Sequence, residues 1–294
     1  MNTRIKLQHY VPQSYLNNFA IKPKRNSIYC FDKSKFKSFM VSIKNIACES
    51  YFYDKPNEAE QRIEKALSEM ESSFKPIQCK ILGSEDLGSL TSSERESLAY
   101  FVMAQELRTR EKRETIRDMM KRAKKRLYKE KLTDAFKVRY GIDKWDKEEE
   151  IKALHLSTFN NIPLYANILL QMKWVIFINR TPIPFWSSDH PINRYNPVDA
   201  RPRGNLGLLC KGIEIHFPLS PKIILSFSDP LMHSLLLHRY ELKDIQCVIF
   251  ENSLQVSYST RYIFSNTDDF SLAKEILQEH PSLRNIDRKR IEVH

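Results

Sequence analysis

Apolar residues recur every three or four positions along much of the first 170 residues, a spacing that predicts amphipathic helices. Glu58–Phe74 keeps its apolar side chains on one face, and Pro76 is expected to bend or end that helix. A capping-box pattern at Thr91–Glu94 predicts the start of a second helix. No proline or glycine follows before Gly141, so this helix is predicted to reach Lys131, a run of about 40 residues.

A third helix is predicted over Glu148–Met172, with a kink near Pro163. Beyond it the chain changes to short β-branched and aromatic runs separated by prolines, which are typical of strands. The predicted strands are Ser27–Phe31, Ser38–Ile43, Lys173–Asn179, Phe185–Ser187, Ile213–Phe217 and Ile223–Phe227. Two further helices are expected, one over Ile245–Tyr258 and a final one over Ser271–Glu279.

These elements predict an α+β fold with a helical N-terminal half, which contains one long basic helix. A small, mostly antiparallel sheet is predicted in the C-terminal half. With 294 residues the chain is long enough for one large domain, and residues 1–294 are taken as a single domain. Within it, residues 91–171 form a long-helix subregion and residues 172–265 a strand-rich subregion.

Composition narrows the classes of function. The chain has 6 glycines and matches neither glycine-rich loop that commonly cradles nucleotide phosphates. Its 5 cysteines are widely spaced and form no CxxC pair, so we expect free thiols in a reducing compartment. No apolar leader and no membrane-spanning stretch can be recognised, which predicts a cytoplasmic protein without a membrane partner.

The net charge of +11 is concentrated in one segment. Residues 108–131 contain twelve basic and four acidic residues, a local excess of eight positive charges. At helical spacing, one face of this segment carries Arg110, Arg113, Arg117, Lys121, Lys124, Tyr128 and Lys131. A stripe of positively charged side chains with one aromatic side chain is suited to binding a phosphate backbone, so we expect DNA or RNA as a partner. The alternatives are a solvated helix face or one that pairs with an acidic surface.

A second feature of the same segment is polar side chains on its apolar face. Gln105 and Arg108 are three residues apart and project onto or beside the stripe that should face the core. Buried polar groups need partners. These two residues therefore belong either to a structural polar network or to the wall of a site.

The opening stretch His9–Ala20 resembles the N-terminal signature HxxP–x–x–YL–x–x–F of a large bacterial family of unknown function. Four further stretches match in family order over nearly the whole chain, namely Ala47–Tyr53, Gln105–Thr109, Ser187–Pro191 and Phe217–Pro221. The resemblance implies that five polar residues belong together, and it brings no settled activity. They are His9, Glu49, Gln105, Arg108 and Asp189.

A histidine, two carboxylates and an arginine could supply a base, a metal ligand or orienting group, and a clamp for an oxyanion or phosphate. We therefore treat the five residues as candidate catalytic residues. The alternative is structural: His9 and Asp189 would cap a turn and a loop, and Arg108 would pair with Glu49 in the core. A weaker candidate is a nuclease-type metal layout of Asp189 with Glu214 and His216, which share one face of a strand. The metal and cofactor are left undetermined.

The leading hypothesis from the sequence is a nuclease-like phosphodiesterase, with the basic helix on the backbone and the five-residue set as the catalytic group. One alternative is a non-catalytic nucleic-acid-binding or protein-interaction module. Another is a small-molecule hydrolase or transferase.

Overall fold

Helices account for the regular structure between residues 62 and 171 of the described chain. The computed structural model describes residues 4–21, 26–58, 60–130, 133–198, 205–232 and 238–290. The helices are α1 (Gln13–Leu16), α2 (Arg62–Ser84), α3 (Ser92–Leu107), α4 (Arg110–Lys129), α5 (Asp134–Arg139), α6 (Glu148–Ser157), α7 (Ile162–Gln171), α8 (Ile245–Tyr258) and α9 (Ser271–Glu279).

Strands precede and follow this helical stretch. They are β1 (Leu7–His9), β2 (Ser27–Asp32), β3 (Lys37–Ser42), β4 (Cys48–Ser50), β5 (Lys173–Asn179), β6 (Ser187–Ser188), β7 (Asn193–Tyr195), β8 (Glu214–Ser220), β9 (Ile223–Ser228), β10 (Arg239–Leu242) and β11 (Tyr262–Ser265). They form a five-stranded sheet in the order β10-β5-β9-β8-β7, a four-stranded sheet in the order β3-β2-β11-β6, and the pair β1-β4. Neighbouring strands are antiparallel, with β10 and β5 the parallel exception in the described ranges.

The mixed α+β class is confirmed, but the N-terminal half is not purely helical, because strands occur early in the chain. Four strands lie before residue 51, and the β2–β3 hairpin belongs to a sheet completed by β11 and β6. Ile28, Cys30 and Phe31 of β2 are buried in that sheet. These apolar residues pack against strands that are more than 150 residues away in sequence. The local sequence pattern therefore predicted the two strands of the hairpin but not the sheet to which they belong.

The single long basic helix is also wrong, because the chain breaks at Arg108 and Thr109. Thr109 is extended, with φ −75° and ψ 160°. Its hydroxyl lies 3.3 Å from the carbonyl oxygen of Glu106 and 2.7 Å from Nδ1 of His190. These tertiary partners replace the continuing helical turn, and neither glycine nor proline signals the break.

The helix predicted to bend or end at Pro76 does not end there, whereas the kink predicted near Pro163 coincides with a break. Pro76 lies inside α2, which continues to Ser84 and buries Phe74, Ile77 and Ile81. The Phe74 ring stacks on that of Phe101 with 3.7 Å between centroids, so packing on α3 outweighs the lost backbone donor. The helix predicted over 148–172 is two helices, α6 and α7, joined by a 3₁₀ turn just before Pro163.

The largest core cluster lies between α2, α3, α7 and the five-stranded sheet, whose β8 supplies Ile215, Phe217 and Leu219. One smaller cluster packs α8 and α9 against β2 and β11, and the other packs α8 against β5, β9 and β10 of the five-stranded sheet. The predicted bounds of α8 and α9 are confirmed. In the described residues, no helix is both long and apolar enough to cross a membrane. All five cysteines are free thiols, as the sequence predicted.

Candidate functional site

The C-terminal end of α3 fixes the N-terminal strand β1. Arg108 is 3% exposed, and its Nη2 donates to the His9 carbonyl oxygen at 2.6 Å. One turn earlier, Gln105 Nε2 donates to the Tyr10 carbonyl oxygen at 3.0 Å. The structure therefore brings His9, Gln105 and Arg108 together, and it does so through the backbone of the strand.

The remaining contacts of Arg108 come from residues that the sequence did not single out. Its Nε donates to Tyr53 Oη at 3.1 Å, and its Nη1 lies 2.7 Å from Glu71 Oε1. Glu71 lies two turns after Glu64 on α2, so both carboxylates lie on the same face of that helix. Their spacing in sequence fits an ordinary solvated face equally well, which is why the sequence did not mark them.

Three buried polar atoms, on His9 and Glu64 near Arg108 and on Asp54 near Glu64, have no hydrogen-bond partner among the described residues. They are His9 Nε2, Asp54 Oδ1 and Glu64 Oε2. The other Asp54 oxygen accepts from Gln8 Nε2 at 2.7 Å. We call His9, Asp54, Glu64, Glu71 and Arg108 the His9 cluster. Unsatisfied buried polar atoms are rare in folded proteins, so these three are groups that a bound water or ligand would satisfy.

The protonation states in this cluster differ from those of free side chains. Burial lowers the pKa of His9, although the negative charge of Glu71 opposes the shift. Burial raises the pKa of Glu64 to about 7, against the opposing charge of Arg108. At neutral pH the cluster thus holds a neutral imidazole and, on another element, a carboxyl group that is partly protonated. Such a pair can accept a proton and donate one in the same step.

Glu49 and Asp189, the other two predicted catalytic residues, are engaged elsewhere. Glu49 on β4 lies 3.1 Å from Arg110 Nη1 in a partly exposed ion pair. Asp189 is completely buried, and its carboxylate accepts the backbone N–H groups of Thr260, Arg261 and Tyr262 at 2.8–2.9 Å. This carboxylate fixes the turn between α8 and β11, which is the structural alternative that the sequence left open.

The predicted basic stripe faces the protein itself. Arg113 is 6% exposed, and its Nη2 donates to the Phe52 carbonyl oxygen at 2.6 Å. Arg117 pairs with Glu114 and Glu148, and Lys124 Nζ lies 2.6 Å from Asp146 Oδ1. Tyr128 hydrogen-bonds Asp143, while Arg110 pairs with Glu49. Lys131 lies outside the described residues. Apart from Lys121, the described part of the stripe is therefore packed on or paired with neighbouring elements.

A different face of α4 is open. Its cations are exposed and make no ion pair or hydrogen bond within the described ranges; they are Lys121, Lys125, Arg126 and Lys129. We call these four residues the open face of α4. At 100° per residue they cover less than half of the helix circumference, on its last three turns. These residues belong to the basic segment that the sequence analysis identified. Helical periodicity, however, predicted as nucleic-acid-binding the face of α4 that packs on α6.

The weaker metal layout is not formed. Glu214 and His216 do share a face of β8, but Asp189 follows β6 in the other sheet. His216 instead lies between two carboxylates, with Nε2 3.2 Å from Glu214 Oε2 and Nδ1 2.9 Å from Glu251 Oε1. In the part of the chain that is described, no three His, Cys, Asp or Glu side chains are arranged to hold a metal ion.

Comparison with known proteins gives one match. No curated protein and no solved structure is detectably similar to this chain. A protein-family model matches residues 7–269, which is nearly the whole chain and includes the His9 cluster and α4. The chain therefore belongs to the family described as protein of unknown function (DUF4238).

Proposed function

We propose that this protein acts on nucleic acid, binding the phosphate backbone along the open face of α4 and hydrolysing a phosphodiester bond at the His9 cluster. The observation that carries the proposal is the open face itself. Four neighbouring cations without partners among the described residues form a ready surface for a polyanion, because each phosphate contact releases condensed counterions.

The His9 cluster supports the catalytic part. Proton transfer from a water molecule to the unprotonated ring nitrogen of neutral His9 would let the water oxygen form a bond to phosphorus. The bond from phosphorus to the leaving oxygen then breaks, and protonated Glu64 supplies the proton for that oxygen. Among the described residues Arg108 uses three of its five N–H donors, and the other two could donate to a phosphate oxygen.

Both sites adjoin α4. Arg108 lies two residues before Arg110, the first residue of α4, and Lys121 lies eleven residues further along that helix. Eleven residues correspond to about 17 Å of helix, a length that a short single strand can span. A non-catalytic nucleic-acid-binding module would use the same open face without cleavage. A small-molecule hydrolase would use the His9 cluster without the open face.

The experiment measures binding and cleavage together. End-labelled single-stranded DNA and RNA are incubated with the wild-type protein, with His9→Ala and with a variant in which the four open-face cations are replaced by glutamine. We expect the His9→Ala protein to bind normally and to lose cleavage by about 100-fold or more. We expect the open-face variant to lose binding.

Binding without cleavage by the wild-type protein would contradict the catalytic part and favour the module. Absence of binding to both nucleic acids at low salt would contradict the proposal as a whole.

A further inference from the structure

Three aromatic side chains are exposed near the C-terminal end of α4. Tyr128 of α4, Phe136 of α5 and Tyr140, which directly follows α5, are 42%, 38% and 52% exposed. Every residue of α5 is described, and none of them is buried. A cluster of large exposed apolar side chains commonly marks a surface that binds another molecule.

The three rings are neighbours on the surface. The centroids of the Phe136 and Tyr140 rings are 4.5 Å apart, and the two rings are inclined by 45°. Lys137 Nζ lies 5.2 Å from the centroid of the Tyr128 ring, which places α5 beside the end of α4. We call Tyr128, Phe136 and Tyr140 the aromatic patch.

Contacts with the following turn hold the patch in position. The Tyr128 hydroxyl hydrogen-bonds Asp143, and Trp145 Nε1 donates to the Tyr140 carbonyl oxygen at 3.1 Å. Ile142 in the same turn is buried, so the turn packs on the protein. A side chain that is already held in place loses little conformational freedom when a ligand contacts it.

The open face of α4 continues into the aromatic patch. Tyr128 follows Lys121 by seven residues, or about two helical turns, so the two side chains lie nearly in line. Lys125 lies between them in sequence and about 40–60° from each around the helix axis. On α5, Arg139 Cζ lies 5.8 Å from the centroid of the Tyr140 ring. Cations therefore border the patch on both helices.

This combination of groups indicates the chemistry of the ligand. Cations beside exposed rings match a molecule that carries phosphates and planar rings together. Single-stranded nucleic acid has both along its whole length, and its bases are free to stack on aromatic side chains. In a duplex the base edges are accessible only through the grooves, so the exposed rings would have no base face to contact.

We propose that the aromatic patch is a stacking platform for the bases of single-stranded DNA or RNA. The phosphates lie along the open face of α4, and successive bases stack on the exposed rings. Because every base has an aromatic face, this recognition does not depend on base sequence. The proposal rests on nucleic-acid binding by the open face, which is part of the proposed function.

Two oligonucleotides separate stacking from phosphate contacts. Fluorescence anisotropy gives the Kd of the full-length protein for a labelled single-stranded DNA and for a strand of the same length with abasic sites in place of the bases. We expect the wild type to bind the normal strand at least about tenfold more tightly, because only this strand can stack. The salt dependence should be the same for both strands, since their phosphates are the same.

A double variant tests whether the patch is responsible. Phe136→Leu combined with Tyr140→Leu removes two rings and retains apolar side chains at exposed positions, so the variant is expected to fold normally. It should lose most of the preference for the normal strand and keep the wild-type affinity for the abasic strand. The control Phe39→Leu changes a similarly exposed ring on β3 and should keep the preference.

Equal affinity of the wild type for the two strands would overturn the stacking proposal and leave phosphate binding by the open face intact. An unchanged preference in the double variant would overturn it as well. Absence of binding to both strands would contradict this proposal together with the proposed function. Self-association of the wild type in analytical ultracentrifugation that the double variant abolishes would identify the patch as an interface between copies of the chain, which would also overturn the proposal.

Discussion

Replacing Arg108 by methionine removes the guanidinium that joins α3 to β1 and α2. Methionine retains most of the apolar stem, so the loss is mainly that of the bonds to the His9 carbonyl, Tyr53 and Glu71. Removing one partner of a buried ion pair costs about 3–5 kcal/mol. The Glu71 side chain is 25% exposed and can regain some water, so we expect the lower end, about 3 kcal/mol.

Urea unfolding followed by circular dichroism measures this loss directly. For a chain of 294 residues, about 3 kcal/mol corresponds to a fall in Tm of about 5 °C. Glu71→Gln and the double variant complete a double-mutant cycle with Arg108→Met. Because the two side chains interact, the losses of unfolding free energy in the two single variants should add up to more than the loss in the double variant. Lys80→Met breaks a partly exposed ion pair with Glu94 and should lower the free energy of unfolding much less. An Arg108→Met loss no larger than that of Lys80→Met would refute the reasoning.

Three further predictions concern other parts of the molecule. Burial opposes the charge of His216, but Glu251 and Glu214 outweigh it and raise its pKa to about 10. Unfolding releases the extra proton, so stability should fall as pH rises from about 6.5 to 10. Thermal unfolding between pH 6.5 and 10 should show a weaker dependence of Tm on pH in His216→Gln than in the wild type. The same dependence in both proteins would contradict the raised pKa of His216. Asp189→Asn should destabilise the protein by about 2–4 kcal/mol in urea unfolding, because an amide oxygen replaces the carboxylate that holds three backbone donors; unchanged stability would argue against its role in the turn. Thiol labelling of the denatured, unreduced protein should count five free cysteines, and a lower count would indicate a disulfide or a bound metal.

The sequence predicted the positions of helices and strands better than the way in which they pack together. The bounds of α9 and of β5 follow from local apolar pattern and are confirmed. The break between α3 and α4 could not be predicted, because Arg108 and Thr109 leave the helix for partners on β1 and near β6 that are far away in sequence. The same holds for Pro76, whose helix is maintained by packing on α3.

The candidate site was predictable in part. Apolar periodicity placed Gln105 and Arg108 on the core side of their helix, and the structure shows them bonded to the backbone of His9 and Tyr10. Glu64 was missed, since nothing in its local sequence signals that α2 would bury it beside Arg108. The basic segment was recognised from the sequence. Which of its faces remains open depends on where α6 packs, and the periodicity of the sequence does not predict that packing.

The central claim is that the open face of α4 binds nucleic acid, and the salt dependence of binding tests it most directly. The wild type is compared with a variant carrying Gln at Lys121, Lys125, Arg126 and Lys129. A matched control carries four Lys→Gln changes at exposed positions on other elements, so that the change in net charge is the same; these are Lys37, Lys65, Lys75 and Lys274.

Fluorescence anisotropy with a labelled single-stranded oligonucleotide gives Kd at several salt concentrations. Four lost phosphate contacts should reduce the slope of log K against log salt by about 3, while the control variant should keep the wild-type slope. The same slope in both variants would contradict a specific role for the open face, as would a wild-type slope near zero.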